Sequence, residues 1–403
     1  MTAQSVLIIT LPPLTGGVPD KARILIQHLR SLGHAVTVAH FATLSDYPDL
    51  VVPSWKILSA RRPMVREGIC FGDVPCLSIG CRFPELEFPY YLSSKRWQDV
   101  ISEYDRHIVV TGTVLTANMI AKLGMPHLVW CAGTMIEDRI DRRQSMPLPR
   151  RLFDQTILSP ILRVMEKNIL MADGHFMAVS EYTRNSMVAV GLDDKKISKT
   201  PIPVDVIRFH PPAMPPEQGV IGFAGRPEDG RKNLSLLFSA LKVLLDQKQN
   251  VSLQLTGSPS AQLTREIERL DLAEHVSWSG WLNADELPEF YQSLDVFVIP
   301  SLQEGLNMAG IQAMASGVPV VSTHCGGPED YVIDGKTGSL VGFDAAEMAA
   351  AVAAIVSDRG NRDVLGANAR HYVETNYSMD DFAKNISDSW FRVWGDRPDS
   401  GLS

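Results

Sequence analysis

The chain has 403 residues, 45% of them hydrophobic and 21% charged, with a formal net charge of −8. That length and apolar content suit two packed cores and leave no compositional case for disorder. The acidic balance and the lack of aromatic–basic interleaving exclude nucleic acid as an expected partner.

Residues 348–356 form about the richest apolar stretch, far short of the roughly 20 needed to span a bilayer. The N-terminus lacks a basic segment followed by an apolar core, so no signal peptide is expected. The five cysteines, Cys70, Cys76, Cys81, Cys131 and Cys325, have no C-x-x-C pair, which points to a reducing, cytoplasmic setting rather than a disulfide framework. Residues 1–200 carry 23 basic against 19 acidic residues, and residues 201–403 carry 15 against 27. A mildly basic first half could face an anionic acceptor or the inner face of a membrane. Ordinary solvated charge accounts for it equally well.

Residues 5–10 read as a buried parallel strand, followed by a loop with Pro12, Pro13, Gly16 and Gly17. Residues 20–32 have helical spacing and stop at Gly33, and residues 35–40 return as a strand. This β-loop-α-β unit builds parallel sheets. Strands at 108–111, 127–130 and 175–180, with helices at 117–123 and 181–190, extend the scheme. Residues 139–170 are dense in arginine (Arg139, Arg142, Arg143, Arg150, Arg151, Arg163) and then turn amphipathic; a solvated face is expected for 139–151 ahead of an acceptor or membrane site. Residues 202–216 hold five prolines and no period, the best linker in the chain. A second series follows, with strands at 220–224, 251–256, 276–279, 296–300 and 319–322 and helices at 233–246, 261–270, 285–294 and 308–316. The expected divisions are 1–202, a linker 203–216, 217–380 and a terminal helix 381–403.

Several chemistries find no motif. G-x-G-x-x-G does not follow the first strand, and Gly335-Lys336-Thr337 fails as a P-loop because Asp330 stands where its first glycine should be. Neither H-E-x-x-H, G-x-S-x-G nor a zinc-spaced cluster occurs.

Two stretches carry chemistry. In the first, a strand ends at Gly225, Arg226 follows, and Lys232 stands six residues on at the mouth of a helix. Two fixed cations suit a diphosphate and a leaving group that gains negative charge. In the second, a strand ends at Pro300, and Glu304 and Gly305 occupy the loop before a helix. Its exposed N–H groups form an anion site, and Glu304 is placed to accept hydrogen bonds from a sugar. Gln312, eight residues on, is two turns along and within reach of the same pocket.

Together with Gly280-Trp281, Glu286, Asp295, Ser301, Ala313 to Val321, Gly326 to Val332 and Asp334 to Gly338, these stretches resemble the retaining GT-B glycosyltransferases of family 4 (glycosyl transferases group 1). The resemblance runs over the whole second half and more loosely over the first, where the Gly16-Gly17 loop fits. It implies an α/β fold of two Rossmann-like parallel domains facing across a cleft. It also implies a hexosyltransferase-type enzyme that moves a sugar from a nucleotide-diphosphate donor to a hydroxyl acceptor with retention, in glycan or glycoconjugate synthesis. Arg226, Lys232 and Glu304 would be catalytic. Gly16, Gly17, Gly225, Trp281, Leu282, Gly305, Leu306, Asn307, Met308 and Gln312 would bind the donor. No cofactor or metal is implied, in line with the lack of a D-x-D motif. Lipid-linked sugar, glycan and small molecule stay open as acceptors, as do the donor base and sugar.

Two positions depart from the family pattern. Gln312 stands where the family has a second glutamate, and Trp130-Cys131-Ala132-Gly133-Thr134 occupies a region where many members have a histidine. Asp138 and Arg139 lie just beyond and are candidates to replace it. The alternatives are a degenerate GT-B partner subunit and a GT-B sugar-nucleotide epimerase.

Overall fold

The computed structural model describes residues 4–398 except 15, 145 and 215–218. The chain divides into one unit made of Met1–Thr200 with Ala383–Ser403 and a second made of Pro201–Phe382. Residues 201–214 hold no helix or strand, and Pro215 and Pro216 of the proline-rich segment lie outside the described residues.

The first unit contains β1 (Ser5–Thr10), α1 (Gly17–Ser31), β2 (Ala35–Phe41), β3 (Val65–Cys70), β4 (Val74–Ile79), α2 (Lys95–Ile101), β5 (Arg106–Val110), α3 (Asn118–Ala121) and β6 (His127–Cys131). It continues through α4 (Met135–Gln144), α5 (Leu148–Phe153), α6 (Ser159–Met171), β7 (Gly174–Ala178), α7 (Glu181–Ala189) and β8 (Ile197–Lys199). The strands form one sheet in the order β3-β4-β2-β1-β5-β6-β7-β8, parallel except for β3. Apolar residues on both faces of β1, β5 and β6 bury these central strands along almost their whole length. His127 and His175 are buried within β6 and β7, as structural residues.

The β3–β4 hairpin was not anticipated. Residues Val65–Ile69 are all exposed, and Arg66, Glu67 and Gly68 break any apolar alternation. Only pairing with the buried Val74 and Cys76 of β4 identifies this edge.

Lys21 of α1 is buried, and its Nζ donates to the carbonyl oxygens of Thr111 (3.0 Å) and Trp130 (2.9 Å). The ammonium lies 5.1 Å from the Trp130 ring centroid. Burial lowers its pKa to about 7. Between that value and the ordinary 10.5 the unfolded chain binds the extra proton, so stability rises with pH across that window. We expect Lys21→Met to flatten this rise, by up to about 4 kcal/mol between pH 7 and 10. Urea unfolding of both proteins across that range checks it; equal slopes would refute it.

Two arginines of this segment, Arg139 and Arg143, are tied into a buried ion network and do not belong to a solvated face. Arg139, only 2% exposed, donates to Asp154 at 2.7 Å and pairs with Glu87. Arg143 binds the other Asp154 oxygen at 2.6 Å and reaches Ser159 at 2.6 Å. Arg150 contacts Glu87 at 3.3 Å. Burial tends to raise the Asp154 pKa, but the Arg143 hydrogen bond and the Arg139 charge outweigh it and hold the carboxyl below its usual range. Arg139 is thus committed to a buried ion network, which removes it as a replacement for the missing histidine. The Arg142 side chain lies outside the described residues.

The second unit contains β9 (Val220–Phe223), α8 (Leu234–Asp246), β10 (Ser252–Leu255), α9 (Ala261–Arg269), β11 (Val276–Trp278), α10 (Leu287–Gln292), β12 (Val296–Ile299), α11 (Met308–Ala315), β13 (Val320–Thr323), β14 (Gly338–Val341), α12 (Ala345–Val356) and α13 (Arg359–Asn376). Helix α14 (Met379–Trp394) begins in this unit and ends in the first. All six strands are parallel, in the order β11-β10-β9-β12-β13-β14. Chain order therefore reverses between β9 and β12, and in such sheets ligands bind beyond the carboxyl ends at the reversal. Leu237, Phe238 and Leu241 of α8 and Met348, Val352 and Ile355 of α12 cover one face, so the site-bearing strand ends rest on a packed core.

Candidate donor site at the strand reversal of the second unit

The loops after β9 and β12 meet at this reversal. After β9, Asp229 caps a short turn, accepting from the Arg231 backbone at 3.1 Å and from its guanidinium at 2.7 Å. Burial pushes the Asp229 carboxyl up, but the hydrogen bond and charge of Arg231 prevail and lower its pKa. Asn233 closes the turn in the left-handed region (φ 49°) and donates to the Pro300 carbonyl at 3.2 Å, while the Leu302 N–H donates to the Arg231 carbonyl at 2.7 Å. These bonds fix the stem of Lys232.

Lys232 Nζ stands 2.7 Å from Glu304 Oε1. The same oxygen accepts from Ser301 Oγ at 2.7 Å and Asn307 Nδ2 at 3.0 Å. Three donors on one oxygen hold the carboxylate in a single orientation, with both partners of the pair mostly buried. Asn307 has φ 65° and caps α11, its side-chain oxygen accepting from the Gly310 N–H at 3.0 Å. Its own carbonyl accepts from the Tyr331 hydroxyl at 3.0 Å. The Glu304 backbone bonds to Cys325 (2.7 Å) and Gly327 (2.8 Å), tying this loop to the one after β13. Gly305, Leu306, Asn307 and Met308 thus lie at a helix N-terminus beside a fixed acid and cation.

Two glycines let these loops approach. A Cβ on Gly327 would lie 2.4 Å from the Gly305 oxygen and 2.5 Å from Leu306 Cα, and one on Gly225 would meet Lys232 Cε at 3.4 Å. Because the first clash is with backbone, Gly327→Ala should displace the Glu304 loop at a cost of about 1–3 kcal/mol. We expect a lower Tm and weaker nucleotide affinity in calorimetry. Unchanged affinity would mean the loop tolerates the shift.

The other candidates fall in separate places. Arg226 is 61% exposed, with Asp229 at 3.5 Å. Trp281 is 64% exposed, not core; with the partly buried Leu282 it follows a turn where the Gly257 N–H donates to the Gly280 carbonyl at 2.6 Å. Gln312 lies only four residues into α11, one turn rather than two, because Glu304 precedes the helix. Its Oε1 accepts from the buried Tyr291 hydroxyl at 3.0 Å. Gly16 (φ 99°) and Gly17 open α1 in the first unit, with open space around both. Sequence reasoning missed the contributions of Ser301, Asp229 and Tyr291. A serine three residues before the glutamate was the available signal for Ser301; Tyr291 had none, being brought in by helix packing.

Residues 218–358 match the family model for glycosyl transferases group 1. Among curated proteins, the chain is 31% identical over 218 residues to a GDP-mannose-dependent alpha-(1-6)-phosphatidylinositol monomannoside mannosyltransferase of Mycolicibacterium smegmatis, covering 49% of this chain and 57% of that protein. It is 31% identical over 193 residues to a D-inositol 3-phosphate glycosyltransferase of Arthrobacter, covering 44% and 46%. The chain thus spans about half the length of these relatives. Among solved structures, a sucrose-phosphate synthase from Thermosynechococcus elongatus matches with TM-score 0.73 at 20% identity, over 97% of this chain and 99% of that one. Anabaena HepE in complex with UDP matches with TM-score 0.71 at 17% identity, over 96% and 100%. These likenesses extend the fold assignment over nearly the whole chain. The protein therefore has the two-domain GT-B fold, and residues 218–358 of its second unit match the glycosyl transferases group 1 family.

Proposed function

We propose that the protein is a glycosyltransferase that moves a sugar from a nucleotide-diphosphate sugar to a hydroxyl acceptor with retention, in the cytoplasm. The observation that carries this reading is the Lys232–Glu304 pair, locked by Ser301 and Asn307 beside the α11 N-terminus. A cation next to free helix N–H groups suits the donor diphosphate, with Arg226 adding charge from the loop before it. A carboxylate held by three donors through Oε1 offers Oε2 to the hydroxyls of the transferred sugar. Lys232 then exchanges Glu304 for the phosphate and offsets its charge as the glycosidic bond breaks. On the same face, the leaving phosphate takes the acceptor proton, so the reaction calls for no protein nucleophile. Gln312 contributes an amide near the ribose, where the family has an acid.

The test is thermal shift with UDP, GDP and ADP, followed by turnover with matching nucleotide sugars, GDP-mannose and UDP-glucose included. A nucleotide held at 100 times its Kd should stabilise by about 2.7 kcal/mol. Donor hydrolysis or transfer that falls on Arg226→Ala supports the proposal. Binding without turnover under any donor or acceptor favours a partner subunit, and epimerised donor without acceptor favours an epimerase.

A further inference from the structure

Helices α5 and α6 are joined by a single π turn, Asp154–Leu158, into one continuous rod spanning residues 148–171, about 35 Å long at 1.5 Å per residue. One side is core: Leu158, Leu162, Met165, Ile169 and Leu170 are buried. The other carries Leu148 (70% exposed), Leu152 (59%), Ile157 (50%), Val164 (61%) and Met171 (70%). Their spacings are four, five, seven and seven. Four and seven keep residues in line on an α-helix. The interval of five falls across the π turn, where each turn holds more residues, so the stripe stays straight. Large aliphatic side chains in one exposed row need an explanation, whereas scattered ones do not.

The exposed charges on the rod itself have one sign, and the nearest exposed acid, Asp173, lies past its end beside Lys196 at 3.9 Å. Arg163 and Lys167 are exposed next to Val164, and Arg150 is partly exposed near Leu148 and Leu152. The acids of the rod are both inside: Asp154 in the ion network and Glu166, which accepts from the Met135 N–H at 2.8 Å. No described residue from 147 to 171 is both acidic and exposed. This unit also holds the whole of the mildly basic first half of the chain, residues 1–200.

We propose that this face docks on an anionic lipid bilayer, the aliphatic row entering the headgroup–acyl boundary and the cations meeting lipid phosphates. A second copy of the chain fits less well. A two-fold contact would set Arg163 and Lys167 near their own mates, with no exposed acid on the rod to pair them. The row also lacks the tryptophan and tyrosine anchors that dominate protein interfaces. The inference does not depend on the transfer reaction, because binding to lipid is read without donor or acceptor.

The experiment is vesicle flotation of the full chain, with phosphatidylcholine vesicles containing or lacking phosphatidylglycerol. We expect binding to the anionic vesicles alone, weakening as salt screens the charges. Arg163→Glu with Lys167→Glu should lower partitioning at least tenfold, and Leu152→Glu with Val164→Glu should do the same, with Tm unchanged since these side chains are exposed. Absent binding to anionic vesicles overturns the proposal. So does binding that survives both pairs of substitutions, including binding through the exposed Trp55 and Leu58 of another loop. A concentration-dependent dimer abolished by Leu152→Glu with Val164→Glu, without vesicle binding by the wild type, would assign the face to a second copy instead.

Discussion

Glu304→Ala should lower kcat by about 10²–10³-fold while leaving the free nucleoside diphosphate bound as tightly as before, or more tightly. The two halves of this expectation come from one contact. The carboxylate is proposed to hold the transferred sugar, so its loss removes an interaction at the reacting group, on the scale seen for deleting one preorganised polar partner. Yet Glu304 also occupies Lys232, at 2.7 Å. A diphosphate must displace it, and removing it lifts that competition. Glu304→Gln separates size from charge: the amide oxygen can still accept from Ser301 and Asn307, whose bonds at 2.7 and 3.0 Å set the side chain's direction. It should recover folding stability but not turnover. Calorimetry with the nucleoside diphosphate and steady-state kinetics read the two effects apart. Equal losses of diphosphate affinity and kcat would mean that Glu304 holds the loop together rather than acting on the sugar.

Asp154→Ala should cost about 3–5 kcal/mol, the typical price of breaking a buried ion pair by removing one partner. Asp154 is fully buried and accepts from Arg139 at 2.7 Å, Arg143 at 2.6 Å and Ser159 at 3.2 Å. Without it, Arg139 keeps Glu87 as an ion partner while remaining almost fully buried. For a unit of this size the loss corresponds to a Tm decrease of roughly 10 °C. The pH dependence has a definite sign. The folded-state pKa lies below the ordinary carboxylate value, so the carboxylate's stabilisation is complete above about pH 4 and fades as pH falls through the folded pKa. Calorimetric scans of wild type and variant should therefore differ most near neutrality and converge in acid. A difference that persists unchanged into acid would show that the ionised pair is not its origin.

Much of the second domain was legible because its signals are local. Most predicted strands there are short buried apolar runs, and Ser260, Asn307, Asp344 and Asp358 cap α9, α11, α12 and α13 with their side chains. Local pattern predicts a strand over 296–300 and a helix over 308–316, and Val296–Ile299 and Met308–Ala315 are what form. The first domain was less legible where burial depends on distant partners. Strand β3 is exposed along most of its length and is defined only by its pairing with β4. The arginine-rich segment reads as solvated because charge in sequence implies water, but Asp154 and Glu87 fold in against Arg139 from 15 and 52 residues away.

The same division runs through the candidate site. Sequence by itself determined which residues carry the chemistry: two cations after one strand, an acid and glycine after another, and a helix start beside them. Those depend on residue type and short spacing. Only the tertiary structure decided that Lys232 and Glu304, 72 residues apart, form a pair, that Gln312 is held by Tyr291, and that Arg226 stands exposed at the loop. The reason is the order of the parallel strands. Reversal between β9 and β12 brings the ends of two strands far apart in sequence to one crevice, and no local pattern records which loops will meet there.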